Sequence, residues 1–275
     1  MTERKAGIAM DKLCSIREAI GSVPDGAMIA LGGNTLNRAP MEAVLEIVRQ
    51  GKKHLRLIKT AGGLDVDLLS LGECLDSVDA GFISMETEYG LAQHYRRAVQ
   101  SGSVRANEHA CYTVISALRA GAYGIPFMPV RGLQISELRK VNDYFADVKD
   151  PFGGETLAAV KALRPDVAVI HVQQADARGN AVIDGPKYDD ILMSRAAKRV
   201  ILTAEMIVGD GFFSRNEVKA DIPHFMVSHV VRARLGAFPG SCFGAYGPDD
   251  RTIRKYAELE NADGLRAMIG EGGGV

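Results

Sequence analysis

Short apolar runs alternate along the chain with apolar positions spaced three and four apart, and glycines fall at the joins. In DKLCSIREAI, Leu13, Ile16 and Ile20 have helical spacing and predict an opening amphipathic helix. AMIAL reads as a short buried strand that runs into Gly-Gly-Asn. Pro40 suits the first turn of the helix MEAVLEIVRQ and Gly51 its stop. LRLIK, residues 55–59, alternates as a strand and ends at Gly62 and Gly63. VDAGFIS predicts another strand, LAQHYRRAVQSG a helix closed by Gly102, and CYTVISALRAGAYG a further helix. IPFMPV is a strand too rich in proline for a central place in a sheet. Residues 139–154 are polar and read as a long surface loop. The second half runs helix TLAAVKAL, strand DVAVIHV, turn ARGN, helix ILMSRAAK, strand RVILTAE, late strand HFMVSHVVRA and last helix RTIRKYAEL. The final EGGGV reads as mobile.

Strands alternating with helices predict an α/β fold: an open, mostly parallel sheet covered by helices on both faces. No fixed-period repeat and no low-complexity linker interrupts the pattern. The expected organisation is a single domain over 1–258 followed by a tail, 259–275, and a chain of 275 residues can bury a core of that size.

Composition removes several classes. The 33 Lys+Arg balance 34 Asp+Glu for a net charge of −1, so no electrostatic footprint for nucleic acid or an anionic membrane is present. The first 20 residues mix charges into their apolar positions, and no apolar run is long enough to span a bilayer, which predicts a cytoplasmic protein. Cys14, Cys74, Cys111 and Cys242 lack the close spacing of a zinc knuckle or redox motif and are expected to be reduced thiols. The six histidines form no HExxH pattern, so no metal is expected, and there is no G-x-S-x-G nucleophile elbow.

Candidate chemistry gathers where strands meet glycines. LGGN (31–34) follows a strand and precedes a helix, where open α/β sheets bind ligands, and paired glycines let backbone N–H groups approach a ligand oxygen. KTAGG (59–63) occupies an equivalent place. Neither is a dinucleotide or Walker loop, so each is either half of a binding crevice or a tight structural turn. Glu86 and Glu88 follow a strand and are either a repelling functional pair or a solvated turn. Asp176 before Arg-Gly-Asn reads as turn chemistry. In RANEHACYTV, Asn107 would be an N-cap and Glu108 would sit in the first helical turn, where the macrodipole favours its charge. A carboxylate held ionised there also suits a base or nucleophile.

The ordered segments LGGNTLNRAP, TAGG, EYGLAQHYRRAV, EHACYTVISALRAGAYGIPFMPVRGL and RPDVAVIHVQQADARGN resemble the A (alpha) subunit of class I CoA-transferases, in the glutaconate CoA-transferase-like branch. The likeness spans about residues 11–258. It implies an obligate complex with a B-type subunit that carries the nucleophilic glutamate in a Ser-Glu-Asn-Gly motif. Coenzyme A would be a substrate, with no permanently bound cofactor, moving between an acyl-CoA and a free carboxylic acid. This chain has no Ser-Glu-Asn-Gly; its one Ser-Glu pair, Ser136-Glu137, has unmatched neighbours. The resemblance therefore makes it half an enzyme. Gly32, Gly33, Asn34, Gly62 and Gly63 would line the acyl crevice, and Arg131 would meet a substrate carboxylate or else form a structural ion pair. A related branch resembles CoA-dependent ring-opening hydrolases that rely on a glutamate of their own A-type chain, and Glu108 falls at that position. A third class, a ligand-sensing domain on this fold, would need a DNA-binding element for which the first 20 residues leave no room.

Overall fold

The computed structural model describes residues 11–133, 135–209, 211–215 and 218–271. Its first half contains α1 (Ile16–Gly21), β1 (Met28–Leu31), α2 (Met41–Arg49), β2 (Leu55–Gly62), α3 (Leu64–Leu71) and β3 (Leu75–Ile83). A single turn α4 (Glu86–Tyr89), α5 (Gln93–Ser101), β4 (Arg105–Glu108) and α6 (Cys111–Ala122) complete that half. An excursion follows through β5 (Phe127–Val130), α7 (Leu138–Val141), β6 (Phe145–Lys149) and β7 (Thr156–Lys161). The chain returns with β8 (Val167–Asp176), β9 (Ala181–Val182), α8 (Asp190–Ala196) and β10 (Val200–Val208). It closes with α9 (Phe212–Arg215), β11 (Val227–Arg232), α10 (Asp250–Ala257) and α11 (Ala262–Glu271).

The main sheet runs β11-β10-β8-β1-β2-β3-β4, every neighbour parallel, with the short β9 antiparallel against β8. Period-two alternation divides each central strand between two cores. Ile29, Leu31, Val167 and Val169 face α1, α2, α3, α10 and α11, whereas Ala30, Ala168, Ile170 and Val172 face α6 and α8. Strands buried on both faces read as continuous apolar runs, as AMIAL and DVAVIHV do. The α/β class with helices on both faces is what the alternation predicts.

Several local expectations give way to tertiary context. TLAAVKAL forms β7, not a helix, because β5 and β6 flank it as antiparallel partners and bury Ala158 and Val160. Residues 139–154, expected as loop, supply β6 to that second, three-stranded sheet, in which the proline-containing β5 takes an edge. Helix α3 escaped the periodicity search because all eight of its residues are buried, so it has no polar face to announce it. The segment 259–275, expected as a tail, contains α11, whose Leu265 and Ile269 lie in the main core. Most of EGGGV lies outside the described residues. Asn107 and Glu108 do not open a helix; they end β4, paired with Asp79 and Ala80 of β3. Helix α6 starts three residues later, where the Thr113 hydroxyl accepts from Ala110 N–H. The ARGN turn joins β8 to β9, and the Asp176 carboxylate accepts from Arg178 N and Asn180 N, the turn chemistry expected.

Candidate functional site

Because the main sheet is parallel, the carboxyl ends of its strands share one edge, the place where open α/β sheets build ligand sites. Along it lie the Gly32–Gly33–Asn34 loop after β1, Gly62–Gly63 at β2, Glu86 and Glu88 beyond β3, and Glu108 at the end of β4.

Two buried ion pairs set the glycine loops. Arg38, 1 % exposed, donates to both carboxylate oxygens of Asp190, at 3.2 and 2.8 Å, and to the carbonyls of His171 and Pro186. Asp190 Oδ1 also accepts from Gly33 N–H at 2.9 Å. Gly33 has φ 72°, and a Cβ there would lie 2.4 Å from the Arg38 carbonyl, so the loop closes only around glycine. Lys59 pairs with Asp65 at 3.0 Å, both side chains fully buried, and donates to the Gly32 carbonyl. Asp65 in turn accepts from Gly63 N–H and Val66 N–H, so one hydrogen-bonded network ties the two loops together.

This arrangement corrects the expected use of the loop backbone. The N–H groups of Gly32, Gly33, Asn34 and Gly63 donate to Val169 O, Asp190, Asn37 O and Asp65, and are not turned toward a ligand. The Asn34 side chain is different: it is half-buried and has no hydrogen-bond partner among the described residues. It lines a cleft of about 510 Å³ with Thr35, Glu86, Glu88, Tyr188 and Asp250. The tertiary fold thus brings the METEY carboxylates, one alternative of which was a solvated turn, against the Gly-Gly-Asn loop. Nearby, Asp189 is pushed above the usual carboxylate range by burial and by the Asp190 charge.

Glu108 is exposed and its carboxylate has no hydrogen bond or ion pair among the described residues. Its backbone is fixed: Asn142 Nδ2 donates to the Glu108 carbonyl at 2.7 Å, and Asn107 and His109 on either side bond the buried Asp79. Burial, then the charges of Glu108 and Asp79, pushes the Tyr95 phenol up to about 12. Arg131 follows the edge strand β5 of the second sheet, where it is 76 % exposed and paired with Glu155 at 2.9 Å, the structural alternative open to it in the sequence.

Sequence reasoning missed Arg38, Lys59, Asp65 and Asp190. One signal was available: Lys59 closes the strand LRLIK ahead of two glycines, and a lysine so placed needs a buried partner. It also missed a cluster within β8 and β10, at His171 and Glu205. Glu205 accepts from His171 Nε2 at 2.8 Å, from Tyr246 O–H at 2.6 Å, and from the N–H groups of Leu235 and Gly236. Cys242 brings a third metal-type donor within 4.8 Å, but both His171 nitrogens and Glu205 are already committed to hydrogen bonds. The cluster works as a clamp on the 233–246 segment. All four cysteines are free thiols.

The clamp has a pH signature. Burial raises the Glu205 pKa, but hydrogen bonds from His171 and Tyr246 outweigh it and hold the group below its ordinary value. A depressed folded-state pKa adds stability above the unfolded value, about 4.3, that is lost as pH falls through the folded value. Urea midpoints measured at pH 7 and pH 4 should therefore fall less on acidification in Glu205→Gln than in the parent. Equal acid sensitivity in the two would exclude the clamp.

A family model for coenzyme A transferase matches residues 14–233. The chain is 33 % identical to the A subunit of glutaconate CoA-transferase from Acidaminococcus fermentans, over 91 % of this chain and 83 % of that protein. It is 36 % identical to the A subunit of 3-oxoadipate CoA-transferase from Pseudomonas knackmussii, over 90 % and 88 %. An uncharacterized protein of Archaeoglobus fulgidus is 32 % identical over 95 % of this chain, which spans only 59 % of its length. A cholesterol ring-cleaving hydrolase IpdA subunit of Rhodococcus jostii is 29 % identical, over 90 % and 86 %. Among solved structures, glutaconate coenzyme A-transferase from A. fermentans superposes with a TM-score of 0.88 at 32 % identity, over 94 % of this chain and 88 % of that one. A variant of the decarboxylase AibA/AibB superposes with a TM-score of 0.85 at 35 % identity, over 96 % and 98 %. Similar chains therefore serve transfer, hydrolysis and decarboxylation.

Proposed function

The chain belongs to the coenzyme A transferase family, and from that membership we propose that it is the A subunit of a hetero-oligomeric CoA-transferase, with coenzyme A as substrate. The observation that carries the reading is a division of parts. The two transferase relatives named above are A subunits, and this chain has no Ser-Glu-Asn-Gly motif. A B-type partner supplies the glutamate that attacks the thioester carbonyl. The CoA thiolate then attacks the glutamyl carbonyl of the resulting anhydride, which releases the first acid as its carboxylate and leaves an enzyme thioester, from which the incoming carboxylate takes CoA. Dividing the exchange into covalent steps lowers each barrier.

In this reading Gly32, Gly33, Asn34, Gly62 and Gly63 form one wall of the acyl crevice. With the loop N–H groups engaged internally, the Asn34 amide is the donor that meets a developing oxyanion. Arg131 stays outside that wall in its pair with Glu155. The names of the relatives favour a small, dicarboxylic acyl group. No helix among the described residues is long and apolar enough to cross a membrane, and four free thiols support a reducing, cytoplasmic setting.

Hydrolysis is the second reading, favoured by one feature: the Glu108 carboxylate stands exposed, and without a partner among the described residues, at the carboxyl edge of the sheet. The test is a Glu108→Gln complex. Transfer chemistry predicts an exchange rate within about twofold of the parent and an enzyme thioester that hydroxylamine traps on the partner. A drop of about 10²–10⁴-fold without a trappable thioester would shift the assignment to hydrolysis by Glu108.

A further inference from the structure

A second cavity, about 550 Å³, opens along the C-terminal halves of β8 and β10 and the end of β11, and the chemistry above does not use it. Arg232 ends β11 and Arg234 follows two residues on, with the buried Ala233 between them; both arginines are exposed and line the cavity. Neither guanidinium has an ion pair or hydrogen bond among the described residues. Two unpaired guanidiniums in a cavity suit phosphate oxygens, which they can bind bidentately.

Across from them stands Phe243, 57 % exposed yet fixed. Gln173, 6 % exposed, donates to its carbonyl at 3.0 Å. Its ring rests on Gly185, where a Cβ would lie 2.6 Å from Cδ1. One side of the ring is thus held against the Gly185 backbone, which makes Phe243 a preorganised stacking platform for a planar base. Asp184, whose backbone is held at both N–H and carbonyl by Gln173, adds to the lining a carboxylate without a partner among the described residues, an acceptor for ribose hydroxyls. The Glu205 charge on the inner wall is already met by four donors and does not repel a phosphate as a bare carboxylate would.

We infer that this cavity binds the phosphorylated adenosine end of coenzyme A, with Arg232 and Arg234 on its phosphates and Phe243 under its base. The inference rests on the CoA-transferase reading for the identity of the nucleotide. Strand spacing supports it: β10 lies two strands from β1, and β11 lies four from β2. At ~4.8 Å per strand the cavity sits roughly 10–19 Å from the glycine loops. An extended pantetheine arm covers a gap of that order and would deliver the thioester to Asn34.

The experiment compares an acyl-CoA with the same acyl thioester of pantetheine, which lacks the nucleotide, in the complex with the B-type partner. The double variant Arg232→Ala/Arg234→Ala should raise KM for acyl-CoA about 10- to 100-fold with kcat within twofold. Turnover of the pantetheine thioester should be unchanged. Phe243→Ala should raise KM for acyl-CoA alone by about 10-fold. An unchanged KM for acyl-CoA, or equal losses on both thioesters, would overturn the site. Should the parent complex exchange no CoA at all, the transferase reading falls, and the site is judged separately by calorimetry with adenosine 3′,5′-bisphosphate. Binding to the parent chain that the double variant abolishes upholds it, and absence of binding to the parent overturns it.

Discussion

Asp190→Ala should lose about 3–5 kcal/mol of folding stability in urea or guanidinium titrations. The substitution leaves the Arg38 guanidinium, 1 % exposed, without its counter-charge in a site that water does not reach. Gly33 N–H loses its acceptor at the same time, a further cost of about 1–3 kcal/mol if no other group replaces it. The loss comes from an orphaned charge rather than from the worth of the pair, so removing both partners should hurt less than removing one. Arg38→Met/Asp190→Leu is accordingly expected to be more stable than Asp190→Ala. A single variant within about 1 kcal/mol of the parent would show that the pair does not hold the loop.

The isolated chain should show no CoA exchange above background, and adding the B-type partner should raise the rate by at least about 10⁴-fold. The reason is chemical. The crevice wall offers hydrogen-bond donors and a shaped loop, but an uncharged amide cannot accept an acyl group from a thioester, and the exposed Glu108 stands at β4, three strands from the Asn34 loop on β1. On the proposed reading, positioning and covalent capture are divided between the two chains, so neither half lowers the barrier without the other. Assay of the two purified chains, apart and mixed, decides the matter. Robust turnover by this chain without a partner would refute the division.

Much of the frame was written locally. The apolar runs AMIAL, DVAVIHV and RVILTAE became central parallel strands because burial on both faces leaves no polar register to encode, and LRLIK joined them through its alternation. The turn at Asp176 and the glycine stops also follow from neighbours within a few residues. Errors cluster where partners are distant. TLAAVKAL has helix-compatible spacing, and only the strands on either side of it made it β7. Asn107-Glu108 has the chemistry of a helix start, yet pairing with β3 kept those residues extended.

The site shows the same split. That the glycine loops lie at the carboxyl edge of the sheet was legible, since glycines after strands mark the edge where an open sheet turns back. Which donors stay unengaged was not, because that depends on partners 152 and 157 residues away: Asp190 takes the Arg38 charge and the Gly33 N–H, while the Asn34 amide has no partner among the described residues. The cavity between Arg232, Arg234 and Phe243 is likewise assembled from five separate stretches of the chain with no shared motif. Side-chain period and turn chemistry are properties of a few consecutive residues, so the sequence alone determined the α/β frame and the placement of its glycine loops at the carboxyl edge. Desolvated charges and cavities exist only once remote segments close over them, and those the tertiary structure alone decided.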